Sequence, residues 1–119
     1  MYAEKLLPHD IEAEESVIGS LLIDGESIFR VAPFLKEVDF YREKNRLCFQ
    51  ACLDLFNRSE AINQVTVAHQ LALDERTEQV GGTAYLSHLV DTVPTPVHIE
   101  HYGRIVSRTA SMRRLIDAA

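Results

Sequence analysis

Few residues in this chain stand at spacings that chemistry needs. Cys48 and Cys52 lie one helical turn apart, where two thiolates on one face can share a metal ion. Both also fall on the apolar positions of their segment, where a free cysteine acts as a small hydrophobe. Core packing is therefore their expected role. His98 and His101 flank Glu100, but a zinc site needs a further ligand that the neighbouring residues do not supply. Gly81-Gly82, ahead of a helical segment, can present amides to an anion. A phosphate-binding loop, however, needs a lysine directly after its glycines, and Lys5, Lys36 and Lys44 are all distant. A left-handed turn is the expectation there. No Ser or Cys stands in a nucleophile motif, and His69 and His88 have no partner evident in the sequence. Glu14-Glu15 and Asp74-Glu75 read as solvated helix ends. No catalytic, metal or cofactor-binding residue is expected.

Charge sharpens that exclusion. The 119 residues carry 18 acids and 12 bases, a net charge of −6. Non-specific nucleic-acid binding rests on neutralising phosphates, so electrostatics disfavours it. The balance is uneven: residues 1–96 hold 16 acids and 8 bases, residues 97–119 hold 2 acids and 4 bases. The four are Arg104, Arg108, Arg113 and Arg114. They read as a solvated helix face, or as a match to an acidic surface such as this chain's own head across an oligomer interface. Apolar residues make up 46%, ordinary for a globular domain. No apolar run approaches the roughly 20 residues of a membrane span, and the opening residues lack the apolar core of a secretory signal. A cytoplasmic domain without membrane contact is expected.

The elements that must carry these residues are helical nearly throughout. Asp10 is placed to cap a first helix bearing Ile11, Val17, Ile18, Leu21 and Leu22, which Asp24-Gly25 ends. A short helix covers about Glu26 to Ala32, before Pro33. Asp39-Phe40-Tyr41 sets two aromatics in a connection. From about Glu43 to Arg58, Leu47, Cys48, Ala51, Cys52, Leu55 and Phe56 recur at helical spacing. Thr66 is the expected cap of a fourth helix running to about Asp74, and Thr83 to Asp91 forms a fifth. After Val93-Pro94, Thr95 at the cap with Pro96 at the first position is a strong start signal. From Val97 to Ala119, Ile99, Tyr102, Ile105, Val106, Met112, Leu115 and Ile116 read as one stripe on a helix with no stop signal. Such a helix outruns a compact head and needs a partner for its projecting part, so the chain reads as cut from something longer.

The ordered blocks carry a resemblance. Leu7-Pro8-His9-Asp10-Ile11-Glu12-Ala13-Glu14, then Val17-Ile18-Gly19 and Leu22-Ile23-Asp24, resemble the opening of bacterial replicative helicases of the DnaB family. Asp39-Phe40-Tyr41-Arg42, Val65-Thr66-Val67, Val80-Gly81-Gly82-Thr83-Ala84-Tyr85-Leu86 and Val93-Pro94-Thr95 follow in family order. Tyr102-Gly103-Arg104-Ile105-Val106 and Arg113-Arg114-Leu115-Ile116 complete the set.

The resemblance implies an all-α fold: a compact multi-helix head over 1–96, then the first arm of an extended helical hairpin over 97–119. The ATPase motor, with its ATP and magnesium, would lie outside this chain. In the family the hairpins pair heads into dimers, and a trimer of dimers forms the hexamer. The resemblance also implies primase docking, with Tyr85 and Ile116 at the contact, and Ile105, Met112 and Leu115 at the oligomer interface. A helicase loader is a further candidate partner, and direct DNA binding is not expected of this domain. Two alternatives from other classes are a metal-dependent hydrolase using the His and Cys residues, and a small helical nucleic-acid-binding module.

Overall fold

The computed structural model describes residues 7–93 and 95–118. All regular structure among them is helical. The first helix, α1 (Ile11–Ile23), starts where Asp10 accepts a hydrogen bond from the Ala13 amide at 2.9 Å. That bond satisfies one of the donors a helix start leaves free. A 3₁₀ turn (Gly25–Ser27) runs into the short α2 (Ile28–Val31). A second 3₁₀ turn (Glu37–Asp39) leads to α3 (Glu43–Asn57).

The fourth helix, α4 (Gln64–Leu73), begins earlier than its expected cap. Asn63 is the cap, accepting from the amides of Val65 at 2.9 Å and Thr66 at 3.0 Å. Thr66 sits inside the first turn and returns a bond, its Oγ1 accepting from the Asn63 amide at 2.9 Å. Thr66 thus takes the place of the acidic member of a capping box. A short helix α5 (Thr77–Val80) follows, one turn that apolar periodicity does not register. Gly81 and Gly82, with φ of 93° and 68°, make the expected left-handed turn into α6 (Gly82–Thr92). Thr95 Oγ1 then accepts from the Val97 amide at 3.3 Å and opens a 3₁₀ turn (Pro96–His98) that continues as α7 (Ile99–Ala118). Pro94 and Ala119, part of the expected break and helix end, lie outside the described residues.

The core forms around α1, which packs against α3, α6 and α7. Its residues 17–22 are all buried. Gly19 is what lets α6 come so near: a Cβ there would overlap the Leu89 carbonyl oxygen and the Val93 side chain. Phe40, from the connection before α3, is fully buried against Phe49, ring centroids 4.8 Å apart. Cys48 and Cys52 are buried in the same core.

The last helix carries two faces where one stripe was expected. Ile99, Gly103, Val106 and Ala110 are buried against the head, at spacings of one helical turn. Tyr102 and Ile105 flank that face, partly buried. Met112, Leu115 and Ile116 point elsewhere and are exposed, at 44%, 72% and 50%. The difference arises because 3.6 residues per turn carries positions 112 and 116 away from the line of 99, 103, 106 and 110.

Candidate docking surface

Glu14 is fully buried on α1, a correction to the solvated helix end expected for Glu14-Glu15. Its carboxylate accepts from the amides of Tyr41 at 2.6 Å and Arg42 at 3.3 Å, and from Asn45 Nδ2 at 3.0 Å. These amides open α3, so the buried charge sits at a helix N-terminus, where free donors and the dipole both favour an anion. Asn45, itself fully buried, uses its other amide atom, Oδ1, to accept from the Tyr85 hydroxyl. Tyr85 is only 8% exposed. Lys44 Nζ lies 4.1 Å from its ring centroid, a cation–π contact. Burial, followed by the neighbouring Glu15 carboxylate, raises the Tyr85 hydroxyl above its ordinary value of 10.0. The hydroxyl is therefore a protonated donor at neutral pH. Glu15 is paired too, with Arg42 at 3.5 Å and His88 at 3.3 Å.

At the other end of this network α7 is fastened to the head. Arg113 Nη1 donates to the Pro8 carbonyl at 2.9 Å and Nη2 to the Asp39 carbonyl at 2.7 Å. Its guanidinium lies 5.3 Å from the Tyr41 ring centroid, and Tyr41 stacks on His9 at 4.1 Å. Arg114 Nη1 donates to Asp39 Oδ1 at 3.1 Å, while Asp39 Oδ2 accepts from the Lys36 amide at 2.9 Å. Arg114 thus finds an acidic match, Asp39, within the chain, while Arg113 is held by two backbone carbonyls of the head. Arg104 pairs with Glu100 at 3.5 Å and covers the Phe34 ring at 3.8 Å; Arg108 is exposed. A nucleic-acid reading that relied on all four arginines loses two of them to the head.

A continuous path therefore runs from Tyr85 through Asn45 and Glu14 to Tyr41 and Arg113. The path ends at Arg113, which stands about one turn before Ile116 on α7. Ile116 sits in solvent beside Met112 and Leu115, Tyr85 lies inside, and Ile105 packs at the edge of the core. Glu14 was discoverable from spacing, because it precedes Ile18 by four on the apolar stripe. Asn45 and Asp39 had no such signal.

The two cysteines are inert by environment. Burial pushes the Cys48 thiol up to about 12 and the Cys52 thiol higher still, so neither supplies a thiolate. Among the described residues no three His, Cys, Asp or Glu side chains converge on a metal-sized site. His98 and His101 are exposed.

Residues 6–108 match the family model for the DnaB-like helicase N-terminal domain. The chain belongs to that family. It is 39% identical over 119 residues to the replicative DNA helicase DnaB of Geobacillus stearothermophilus, covering all of this chain and 26% of that protein. The N-terminal domain of Mycobacterium tuberculosis DnaB superposes with a TM-score of 0.92 at 38% identity, over 95% of this chain and 81% of that one. The N-terminal domain of Helicobacter pylori DnaB, described with its interactions with primase, shares the fold at a TM-score of 0.76 and 20% identity, over 90% and 83% of the two chains. The chain thus spans about a quarter of the full-length DnaB relative's length. The DnaB N-terminal family model ends at residue 108, so Arg113, Arg114 and the exposed Met112, Leu115 and Ile116 lie beyond it.

Proposed function

We propose that this domain is the non-catalytic oligomerisation and primase-docking part of a replicative DNA helicase that unwinds duplex DNA at the replication fork. The observation that carries the reading is the end of α7. Met112, Leu115 and Ile116 form an exposed apolar face on a helix that Arg113 and Arg114 fix to the head. Exposed apolar clusters on a rigid element mark contact surfaces. A second hairpin arm covers Ile105, Met112 and Leu115 and pairs two heads, and three such dimers close the hexameric ring. Ile116 meets primase directly. Tyr85, being buried, acts as a positioning residue that holds α6 and the start of α3 in register. Residues 1–96 serve as the head and 97–119 as the start of the arm, with ATP and magnesium held by a motor outside these residues. Self-association and primase are the partners, a helicase loader is a third, and the strand is gripped elsewhere in the cytoplasmic parent protein.

Sedimentation velocity on the full-length protein tests the assembly half of this reading. Aspartate at both Met112 and Leu115 is expected to shift the hexamer toward smaller species, because it places charge in a buried contact. An unchanged hexamer would remove these residues from the interface.

A further inference from the structure

The hydroxyl of Ser111, near the end of α7, departs from a common pattern of helical hydroxyls. Ser16, Ser20 and Thr109 each donate to a carbonyl about one turn back, at 2.8, 2.7 and 3.1 Å. Ser111 is exposed and instead accepts from Arg114 Nη2 at 3.2 Å, and its own proton has no acceptor among the described residues. Arg108, one turn earlier, is exposed and forms no ion pair among the described residues. The segment reads Arg108-Thr109-Ala110-Ser111-Met112-Arg113-Arg114, a serine with an arginine three positions before it and two more close behind. Ala110 is the last buried residue of α7. Beyond it the helix is held to the head by polar contacts of Arg113 and Arg114, so local opening there costs less than in the core. Ser107 follows Arg104 at the same spacing, but it is partly buried, and Arg104 is engaged by Glu100 and the Phe34 ring.

We propose that Ser111 accepts a phosphoryl group from a serine kinase that reads basic residues, and that the phosphate keeps the end of α7 from pairing. Arg108 is the free cation that an acidic kinase cleft engages. The exposed Oγ attacks the γ-phosphorus of a nucleoside triphosphate, and an O–P bond forms as the bond to the bridging β–γ oxygen breaks. The diphosphate leaves with that electron pair, and the serine proton passes to a base of the kinase. The product carries about −1.5 to −2 charges. Arg108 and Arg114 stand three positions before and after Ser111, where side chains on a helix are neighbours. Both can donate to the phosphate, in charge-assisted bonds stronger than the one Arg114 makes to the hydroxyl. Met112 and Leu115, adjacent and one turn on, place that charge at the edge of the exposed apolar face. A second helix covering the face would have to bury it, which opposes pairing. This consequence rests on reading Met112 and Leu115 as the assembly face, and it makes Ser111 a switch on the unassembled chain, where that face is free.

Mass spectrometry of the full-length protein purified from its native cells tests the site. Phosphate is expected on Ser111, and Arg108→Ala is expected to lower its occupancy by about tenfold or more. Arg108 is exposed, so that variant keeps its fold, and thermal melts check it. Sedimentation velocity tests the consequence on full-length protein with phosphoserine installed at position 111, beside Ser111→Ala. The phosphorylated hexamer is expected to dissociate at concentrations about tenfold higher than the unmodified one, while Ser111→Ala stays hexameric. No phosphate on Ser111 in protein from growing or starved cells, or undiminished occupancy in Arg108→Ala, overturns the proposal. So does a phosphorylated hexamer that stays intact where aspartate at Met112 and Leu115 dissociates it. A hexamer that survives both changes overturns the assembly reading itself, and the switch with it.

Discussion

Arg113, near the end of α7, donates to the carbonyl of Pro8, 105 residues earlier in the chain, at 2.9 Å. With the bond to Asp39 and the contact with Tyr41, this one side chain gathers the segment before α1, the turn before α3 and the last helix. Arg113→Ala is expected to destabilise the domain by about 1–3 kcal/mol, since charge-assisted hydrogen bonds are lost and two carbonyls lose their donor. The effect should concentrate in hydrogen exchange at residues 111–118, which should open while amides of α1 stay protected.

Tyr85→Phe removes the donor to Asn45 and leaves a buried amide oxygen unsatisfied. A cost of about 1–2 kcal/mol in urea denaturation is expected. Because Asn45 is the partner, a double-mutant cycle with Asn45→Ala should show coupling, whereas independent effects would mean that the bond does not contribute.

Glu14→Leu should be far worse than either. It strands the Tyr41 and Arg42 amides and the Asn45 side chain, and a loss of about 3 kcal/mol or more is expected. Glu14→Gln keeps part of the acceptor capacity but not the charge at the α3 terminus, so it should fall in between.

These contacts show what the sequence made legible and why the rest stayed hidden. Asp10 and Thr95-Pro96 announce helix starts because a cap works within three residues, and both caps stand as expected. Thr66 reads as a cap because threonine is a capping type standing just before an apolar run, yet Asn63, the stronger capping residue, takes that place and Thr66 completes the pair of bonds. Glu14 looked solvated because adjacent acids usually are; its partners lie 27 to 31 residues away. Asn45 and Tyr85 are 40 residues apart, and nothing local in either links them. The apolar pattern of α7 gave the helix but merged its two faces, since periodicity counts apolar residues without knowing where the head ends.

Glycine packing gives a graded test. Gly19→Ala pushes a methyl into the Leu89 backbone, which cannot yield, and a cost of about 2–4 kcal/mol is expected. At Gly103 the nearest atom is a Val31 methyl at 2.9 Å. Val31 is buried and stiff, so the clash still costs, but it is met by side chains at 2.9 Å and beyond rather than by backbone at 2.4 Å. Alanine's better helix propensity offsets about 1 kcal/mol at both sites. Urea denaturation should therefore find Gly103→Ala milder than Gly19→Ala.

Alkaline pH should weaken the domain. Cys48 rises from an ordinary 9.0 to about 12, Cys52 rises further, and Tyr85 rises from an ordinary 10.0. Above about pH 9 the unfolded chain releases these protons while the folded chain keeps them, so stability falls as pH increases. The sign is that of a raised folded-state value: full stability below the ordinary values, lost on rising through the folded ones. Replacing both cysteines with alanine should flatten the decline that begins near pH 9.

We propose that primase docks on the exposed end of α7, which the head holds in place. Calorimetric titration of the full-length helicase with its primase, comparing wild type with Ile116→Asp, tests it most directly. Ile116 is half exposed, so the variant should keep its helicity and its hexamer while primase affinity falls by about tenfold or more. Undiminished affinity in a folded, hexameric Ile116→Asp protein would contradict the account.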